Sequence, residues 1–261
     1  MSRLQKIGCV ASDAELARRK LAYYLKRYGW VDMVATGNHE VDLVVALGGD
    51  GFMLRALHDY KDTGAKFYGV NCGTVGFLMN DRDDDLLQDN IEQAVETRFQ
   101  PLLMTAVSVT GESYTRLAFN EVSLLRETHQ SAKIRISIDG AVRLQELVGD
   151  GVLVATPAGS TAYNMAVQGP IIPLDARLLA LTPISPFKPR NWRGALLPQT
   201  STVEFEVLKP ERRPVSAVAD YFEIRDVAKV KVCEYPQASV TVLFNANHSL
   251  EERVIKEQFM L

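Results

Sequence analysis

The residues best equipped for chemistry are Gly48-Gly49-Asp50-Gly51, where a carboxylate stands among three glycines. Glycine lets backbone amides approach a ligand closely, and a helix following such a turn adds unpaired N–H groups and a positive dipole end, a combination suited to phosphate. Two familiar phosphate motifs fail here. No Gly-Lys-Ser/Thr follows, so the P-loop lysine is missing, and Leu54 stands where the dinucleotide fingerprint requires its third glycine. Asp50 would repel a phosphate at close range. It therefore either faces a hydroxyl or a metal ion, or simply caps the helix beginning at Phe52.

Other segments carry comparable potential. Asn71-Cys72-Gly73-Thr74-Val75-Gly76-Phe77-Leu78 is a second glycine-bearing turn after a strand, and two such strand ends in one sheet can share a crevice. Asn120-Glu121 offers an amide and a carboxylate for sugar hydroxyls, or is a plain turn. Gly149-Asp150-Gly151 precedes an apolar run, and Thr156-Pro157-Ala158-Gly159-Ser160-Thr161-Ala162-Tyr163-Asn164 can line a nucleotide pocket or form an ordinary Gly/Ser/Thr loop. Lys188, Arg190 and Arg193 are candidate partners for phosphate charge, or solvated surface cations.

The elements that must position these residues change character along the chain. Residues 6–11 read as a strand, and Ser12 as the N-cap of a helix through Ala14, Leu16, Ala17, Leu21, Tyr24 and Leu25 that stops at Gly29. Residues 42–47 read as a strand covered on both faces, residues 52–60 as a helix and residues 66–70 as a strand. This alternation predicts a parallel sheet with crossover helices. After Gln100-Pro101 the spacing changes to β, with strands over 102–110, 114–121, 133–138, 152–156, 202–208, 229–233 and 239–244. The tail, 249–261, returns to helical spacing and is expected to pack back on the first domain. The acidic run 81–85 reads as a solvated loop or helix start, since Arg82 interrupts it and no further metal ligand is in register.

Composition sets outer limits. With 261 residues, 47% apolar and 23% charged, the chain is globular, and its length suggests two domains. A net charge of −3 excludes a global basic field for nucleic acid or membrane. Cys9, Cys72 and Cys233 form no CxxC and read as buried thiols in a reducing cytosol. Residues 1–10 carry charge and no apolar stretch long enough for a signal peptide, and nothing elsewhere approaches the length of a membrane span, so the expected location is cytoplasmic.

Taken in order, the four segments at 48–51, 71–78, 120–121 and 156–164 resemble the NAD kinase family, over residues 41–174 and more weakly near 215–221 and in the C-terminal helix. The GGD turn alone is also found in diacylglycerol and sphingosine kinases. The Phe52-Met53-Leu54 continuation and residues 182–198 look like the branch found in alphaproteobacteria. The resemblance implies an α/β fold: an N-terminal Rossmann-like nucleotide-binding domain over 1–100, completed by 245–261, and a C-terminal antiparallel β-sandwich-like domain over 101–244.

It also implies transfer of the γ-phosphoryl of ATP to the 2′-hydroxyl of the adenosine ribose of NAD, with Asp50 as the catalytic group on that hydroxyl. Gly49 and Gly51 would sit beside it, Arg55 would contact the nucleotide, and Phe77 would lie against adenine. Asn120 and Glu121 would bind the ribose. Asp150 would reach the nicotinamide end, in some members across a subunit boundary. Ala158, Thr161, Ala162, Tyr163, Asn164, Met165 and Ala166 would surround the adenosine moieties. A divalent ion, Mg²⁺, would arrive with ATP, and no metal-ligating residue is assigned in the chain. NAD and ATP would be the small-molecule partners, with no nucleic acid or membrane, in a homo-oligomer, dimer or tetramer. Two departures stand out. Gln168-Gly169-Pro170 replaces a common Gly-Gly-Pro, and Asp220-Tyr221 replaces Asp-Gly or Asp-His, which puts the contact at Tyr221 in question. The rival readings are a GGD-type lipid or sphingoid kinase and a non-catalytic NAD(P)-binding regulatory module.

Overall fold

The computed structural model describes residues 6–73 and 76–246. The chain divides into two compact units, one of Met1–Phe99 with Ala238–Leu261 and the other of Gln100–Gln237.

The first unit is built on a six-stranded sheet in the order Val31–Asp32, Ile7–Ala11, Leu43–Gly48, Lys66–Asn71, Val240–Phe244, Val95–Phe99. All neighbours are parallel except the last pair. Every residue of Leu43–Gly48 is buried, as its unbroken apolar sequence requires of a strand covered on both faces. The helix Glu15–Tyr28 ends at Gly29 in the left-handed conformation (φ 66°). Its start differs from expectation. Ser12 does not cap it, because the Ser12 amide donates to the Leu47 carbonyl at 2.9 Å and prolongs the sheet, so the cap position falls on Ala14.

Two further expectations are corrected in this unit. The strand at 239–244, read as part of the second domain, is Val240–Phe244 and lies inside this sheet, between Lys66–Asn71 and Val95–Phe99. Alternation reports a strand but not its partner. Here Asn80 decides: buried completely, it donates its side-chain amide to the Leu243 carbonyl and accepts from the Asn245 amide. The acidic run is not simply solvated either. The Asp84 carboxylate accepts from Lys20 and from the Tyr24 hydroxyl, fastening the run to the first helix; burial opposes ionisation, but these donors hold Asp84 below the usual carboxylate range. The helix expected over 249–261 lies outside the described residues.

The second unit consists of two six-stranded antiparallel sheets. One orders Ala141–Gly149, Ala132–Ile138, Val203–Val207, Val227–Glu234, Leu102–Ser108 and Ser113–Ala118; the other orders Ala195–Pro198, Leu178–Ile184, Gly151–Ala155, Glu121–Arg126, Val215–Ala219 and Phe222–Ile224. Ile134, Ile136, Phe205 and Val232 of the first pack with Val122, Leu124, Val152 and Val154 of the second in one core, with each of these side chains almost fully buried. The outer face of the second sheet is covered as well. Leu153, Ala155, Ile172 and Ala180 form a smaller cluster there, against which Tyr163 and Val167 pack.

Candidate active site

In the first unit the site grows from the ends of two neighbouring parallel strands. Gly48 pairs with Asn71, so the GGDG turn and the second glycine turn leave the same edge of the sheet. Gly49 occupies the cap position of the helix Asp50–Tyr60 and offers its amides no side chain. The helix begins at Asp50, not Phe52, and the Asp50 carboxylate does not cap it. Instead Oδ2 accepts the Phe77 amide at 2.7 Å and Oδ1 the Leu78 amide at 2.9 Å. Among the described residues each oxygen accepts one hydrogen bond, so the group is oriented by the turn and has capacity left to accept from a hydroxyl. Gly76 makes room for this: a Cβ there would stand 2.6 Å from Asp50 Oδ1. At Gly49 and Gly51, by contrast, an added Cβ meets nothing within 4 Å among the described residues, and neither has a positive φ. Packing does not demand glycine at these two positions, whereas a ligand resting on bare backbone would. Arg55 is exposed one turn along from Gly51, and Phe77 is half-buried.

In the second unit the site forms where the chain passes from one sheet to the other. The single strand expected over 114–121 is broken after Ala118 and resumes at Glu121 in the opposite sheet. Asp220 holds this passage. It sits in the two-residue turn after Val215–Ala219 at φ 55°, and its carboxylate accepts the amides of Phe119 (2.8 Å), Asn120 (2.9 Å) and Glu121 (3.4 Å). The Thr156 hydroxyl donates to the Phe119 carbonyl, and the Thr156 amide to that of Asn120. Gly159 passes so close that a Cβ would lie 2.1 Å from the Asn120 carbonyl oxygen.

With its backbone thus fixed, Asn120 keeps a side-chain amide that has no hydrogen bond among the described residues. Glu121 next to it is buried, and its Oε2 has no partner there. Burial above all, and then the charge of Asp220, push the Glu121 carboxyl up to about 8, partly offset by the Tyr163 N–H. An open amide beside a buried carboxyl with an unused oxygen is a recognition pair for hydroxyl groups.

The loop after Gly151–Ala155 folds over the outer face of that sheet as a short 3₁₀ turn, Ala158–Thr161, and a single helical turn, Tyr163–Ala166. Ala158, Ala162, Tyr163 and Met165 are half-buried, Thr161 is buried with its hydroxyl on the Ala158 carbonyl, and Ala166 is exposed. Asn164 differs from what the resemblance implies. It is fully buried and its side chain is spent inside the protein, donating to the carbonyls of Ser160 and Pro170 and accepting the Thr182 hydroxyl at 2.6 Å. Gln168 takes φ 63°, the left-handed conformation in which the common glycine would be free of strain.

Not every anticipated residue joins this group. Asp150 lies off the opposite end of Gly151–Ala155, whose Ala155 pairs with Glu121, so at ~3.3 Å per residue about 15 Å of strand separates the backbone at the two positions. Asp150 pairs with Arg126 at 2.5 Å. The Tyr163 phenol, packed on the intervening face, is pushed up by burial and by both charges. Tyr221 stands beside Asp220, partly exposed, with its ring 4.4 Å from that of Phe222. Lys188 is paired with Glu146, and Arg190 lies over the Phe187 ring. Sequence reasoning named Gly76 and Thr156 only as members of the 71–78 turn and the 156–164 loop, and Asp220 only as half of the Asp220-Tyr221 pair; the structure adds the bonds by which Asp220 and Thr156 hold the passage and the room that Gly76 leaves for Asp50. For Asp220 the available signal was its place between two short apolar runs, a two-residue hairpin turn. Among the described residues no three His, Cys, Asp or Glu side chains converge as a metal site.

Known proteins match both units. Residues 11–99 match the ATP-NAD kinase N-terminal domain and residues 119–242 the ATP-NAD kinase C-terminal domain. The NAD kinase of Mesorhizobium japonicum is 52% identical over 253 residues, spanning 97% of this chain and 96% of its own. That of Caulobacter vibrioides is 54% identical over 247 residues, spanning 95% and 92%. Two solved structures share the fold at low identity. Yeast NADH kinase complexed with NADH superposes with a TM-score of 0.83 at 20% identity, covering 98% of this chain and 87% of that one, and an NAD kinase from Archaeoglobus fulgidus in complex with ATP does so at 0.77 and 21%, covering 96% and 98%. With both domain models matched and half of all residues shared with relatives along nearly the whole length, the chain belongs to the NAD kinase family.

Proposed function

We infer that this protein transfers the γ-phosphoryl of ATP to the 2′-hydroxyl of the adenosine ribose of NAD, yielding NADP and ADP. The observation that carries the reading is the Asp50 carboxylate, oriented by two backbone amides at the mouth of a glycine turn whose flanking residues 49 and 51 are bare. In the reaction the O2′–Pγ bond forms, the bond from Pγ to the β,γ-bridging oxygen breaks, and the 2′-proton passes to Asp50 and on to water. A ribose hydroxyl is a weak nucleophile, so positioning and charge neutralisation supply most of the acceleration. Asn120 and Glu121 hold ribose hydroxyls, the first by its open amide and the second by its unused Oε2.

The same proposal includes Mg²⁺ as part of the MgATP substrate, where it would neutralise phosphate charge. Arg55, exposed one turn from Gly51, contacts the nucleotide, and Phe77 lies against adenine. A homo-oligomer in which Asp150 serves a neighbouring subunit's NAD is part of the same proposal, and light scattering should return a multiple of the chain mass. A cytoplasmic location is supported by three free thiols, Cys9, Cys72 and Cys233; no helix among the described residues is long and apolar enough to cross a membrane.

Purified protein supplied with NAD and MgATP should generate NADP, read by an NADP-specific dehydrogenase, and an active preparation that produces none would refute the assignment. Asp50→Asn is expected to abolish most turnover while NAD affinity stays within about tenfold, because the change is nearly isosteric. Wild-type rates in that variant would remove Asp50 from the reaction.

A further inference from the structure

We propose that the second unit carries a binding site for a multivalent anion of the phosphate class, formed by Lys133, Lys209, Arg212 and Arg213 and distinct from the Asn120–Glu121 pair. These four cations and Gln130 line a cavity of about 460 Å³. It lies at the other end of the sandwich from Glu121: the Glu127 amide, just past the far end of Glu121–Arg126, donates to the Pro214 carbonyl, and the Leu208 amide donates to that of Lys133.

The backbone concentrates charge here. Lys209 takes the left-handed conformation, φ 62°, and its carbonyl accepts the amides of both Arg212 and Arg213, closing a turn that brings three cations together beside Lys133. Two of the four are anchored. Lys133 pairs with Glu146 at 3.1 Å, and Arg213 donates to the carbonyl and hydroxyl of Ser131. Lys209 and Arg212 have no side-chain partner among the described residues, and Glu211 in the same turn is exposed and outside the cavity lining.

Four cations therefore face one carboxylate, in a chain whose net charge is −3. Like charges gathered this way repel until a counter-ion joins them. The lining chooses its chemistry: no apolar side chain contributes, so a hydrophobic ligand finds no match, and three cations of one turn with a fourth from the neighbouring strand suit an anion with several oxygens spread over two or three phosphoryl groups. Arginine adds planar paired donors that fit phosphate oxygens. The concave shape favours a compact polyphosphate group over an extended polymer.

Titration calorimetry with tripolyphosphate at fixed ionic strength tests this on the full chain. The double variant Lys209→Gln/Arg212→Gln should lose at least tenfold in affinity for one binding event. Lys229→Gln/Lys231→Gln, which removes the same charge from exposed positions on Val227–Glu234, should lose none. Turnover of NAD without added anion should be unchanged in both. A parallel titration with ADP distinguishes the phosphates of a nucleotide from an inorganic chain, since only a ligand of this site loses affinity in the first variant. Equal losses in the two double variants, or no loss in the first for either ligand, would overturn the proposal.

Discussion

Asp50 keeps its direction through two amides, and those amides reach it only because residue 76 has no side chain. In Gly76→Ala the new methyl group would displace the carboxylate from both bonds. A shift of ~1 Å at a reacting group costs on the order of 10²-fold in rate, so kcat should fall about tenfold or more while the melting temperature stays close to wild type. An unchanged kcat in the coupled assay would show that the orientation is not used. Glu121 makes a different prediction, about pH. Its folded pKa, about 8, lies above the ordinary carboxylate value, so the native state holds the proton more tightly than the unfolded chain does. Its penalty is absent in acid, grows as pH rises from the ordinary value towards 8, and is complete above it. Glu121→Gln should therefore flatten the decline in stability between about pH 5 and pH 8, with a gain at the upper end of at least ~1.4 kcal/mol, the equivalent of one pKa unit. Chemical denaturation at the two pH values reads this directly, and parallel curves for the variant and wild type would contradict it. Asp220 raises Glu121 by its charge and fixes the passage by its amide bonds. Asp220→Asn should lower the Glu121 pKa seen in that profile and raise KM for NAD.

At the scale of elements, the loop over the second sheet depends on Asn164. Removing its side chain strands the Ser160 carbonyl and the Thr182 hydroxyl in the interior and releases the more exposed Pro170 carbonyl. An unsatisfied buried polar group costs ~1–3 kcal/mol, so Asn164→Ala should lose about 2–4 kcal/mol and raise KM for NAD more than it lowers kcat. This loop also shows what the sequence could and could not reveal. Its Gly, Ser and Thr content left a nucleotide-lining loop and an ordinary loop both open, and composition does not separate side chains that meet a ligand from those that meet the loop itself; Asn164 is of the second kind. The strand Leu178–Ile184 escaped notice because Pro183 argues against a central strand; it is tolerated because pairing with Ala195–Pro198 ends at Leu181. Val215–Ala219, rich in small residues, lacked the usual β signal. The GGDG turn was legible because strand, glycines and helix follow one another locally, whereas the hold of Asp220 on residues 119–121 joins distant parts of the chain and leaves no local trace.

At the scale of the molecule, the first unit is discontinuous. Val240–Phe244 stands between Lys66–Asn71 and Val95–Phe99, which have no direct pairing with each other. A chain ending at Gln237 should thus keep its sandwich while its first unit loses the sheet's interior. Limited proteolysis should then degrade residues 6–99 and spare Gln100–Gln237, and a resistant N-terminal fragment would count against this dependence. The same arrangement orders events at birth. A nascent chain leaving the ribosome at about 5–20 residues per second exposes the open flank of Lys66–Asn71 for on the order of ten seconds, while everything up to Gln237 is still being translated. Throughout that interval the sheet beneath Asp50 stays unfinished, and the last strand among the described residues is the one that joins its two parts.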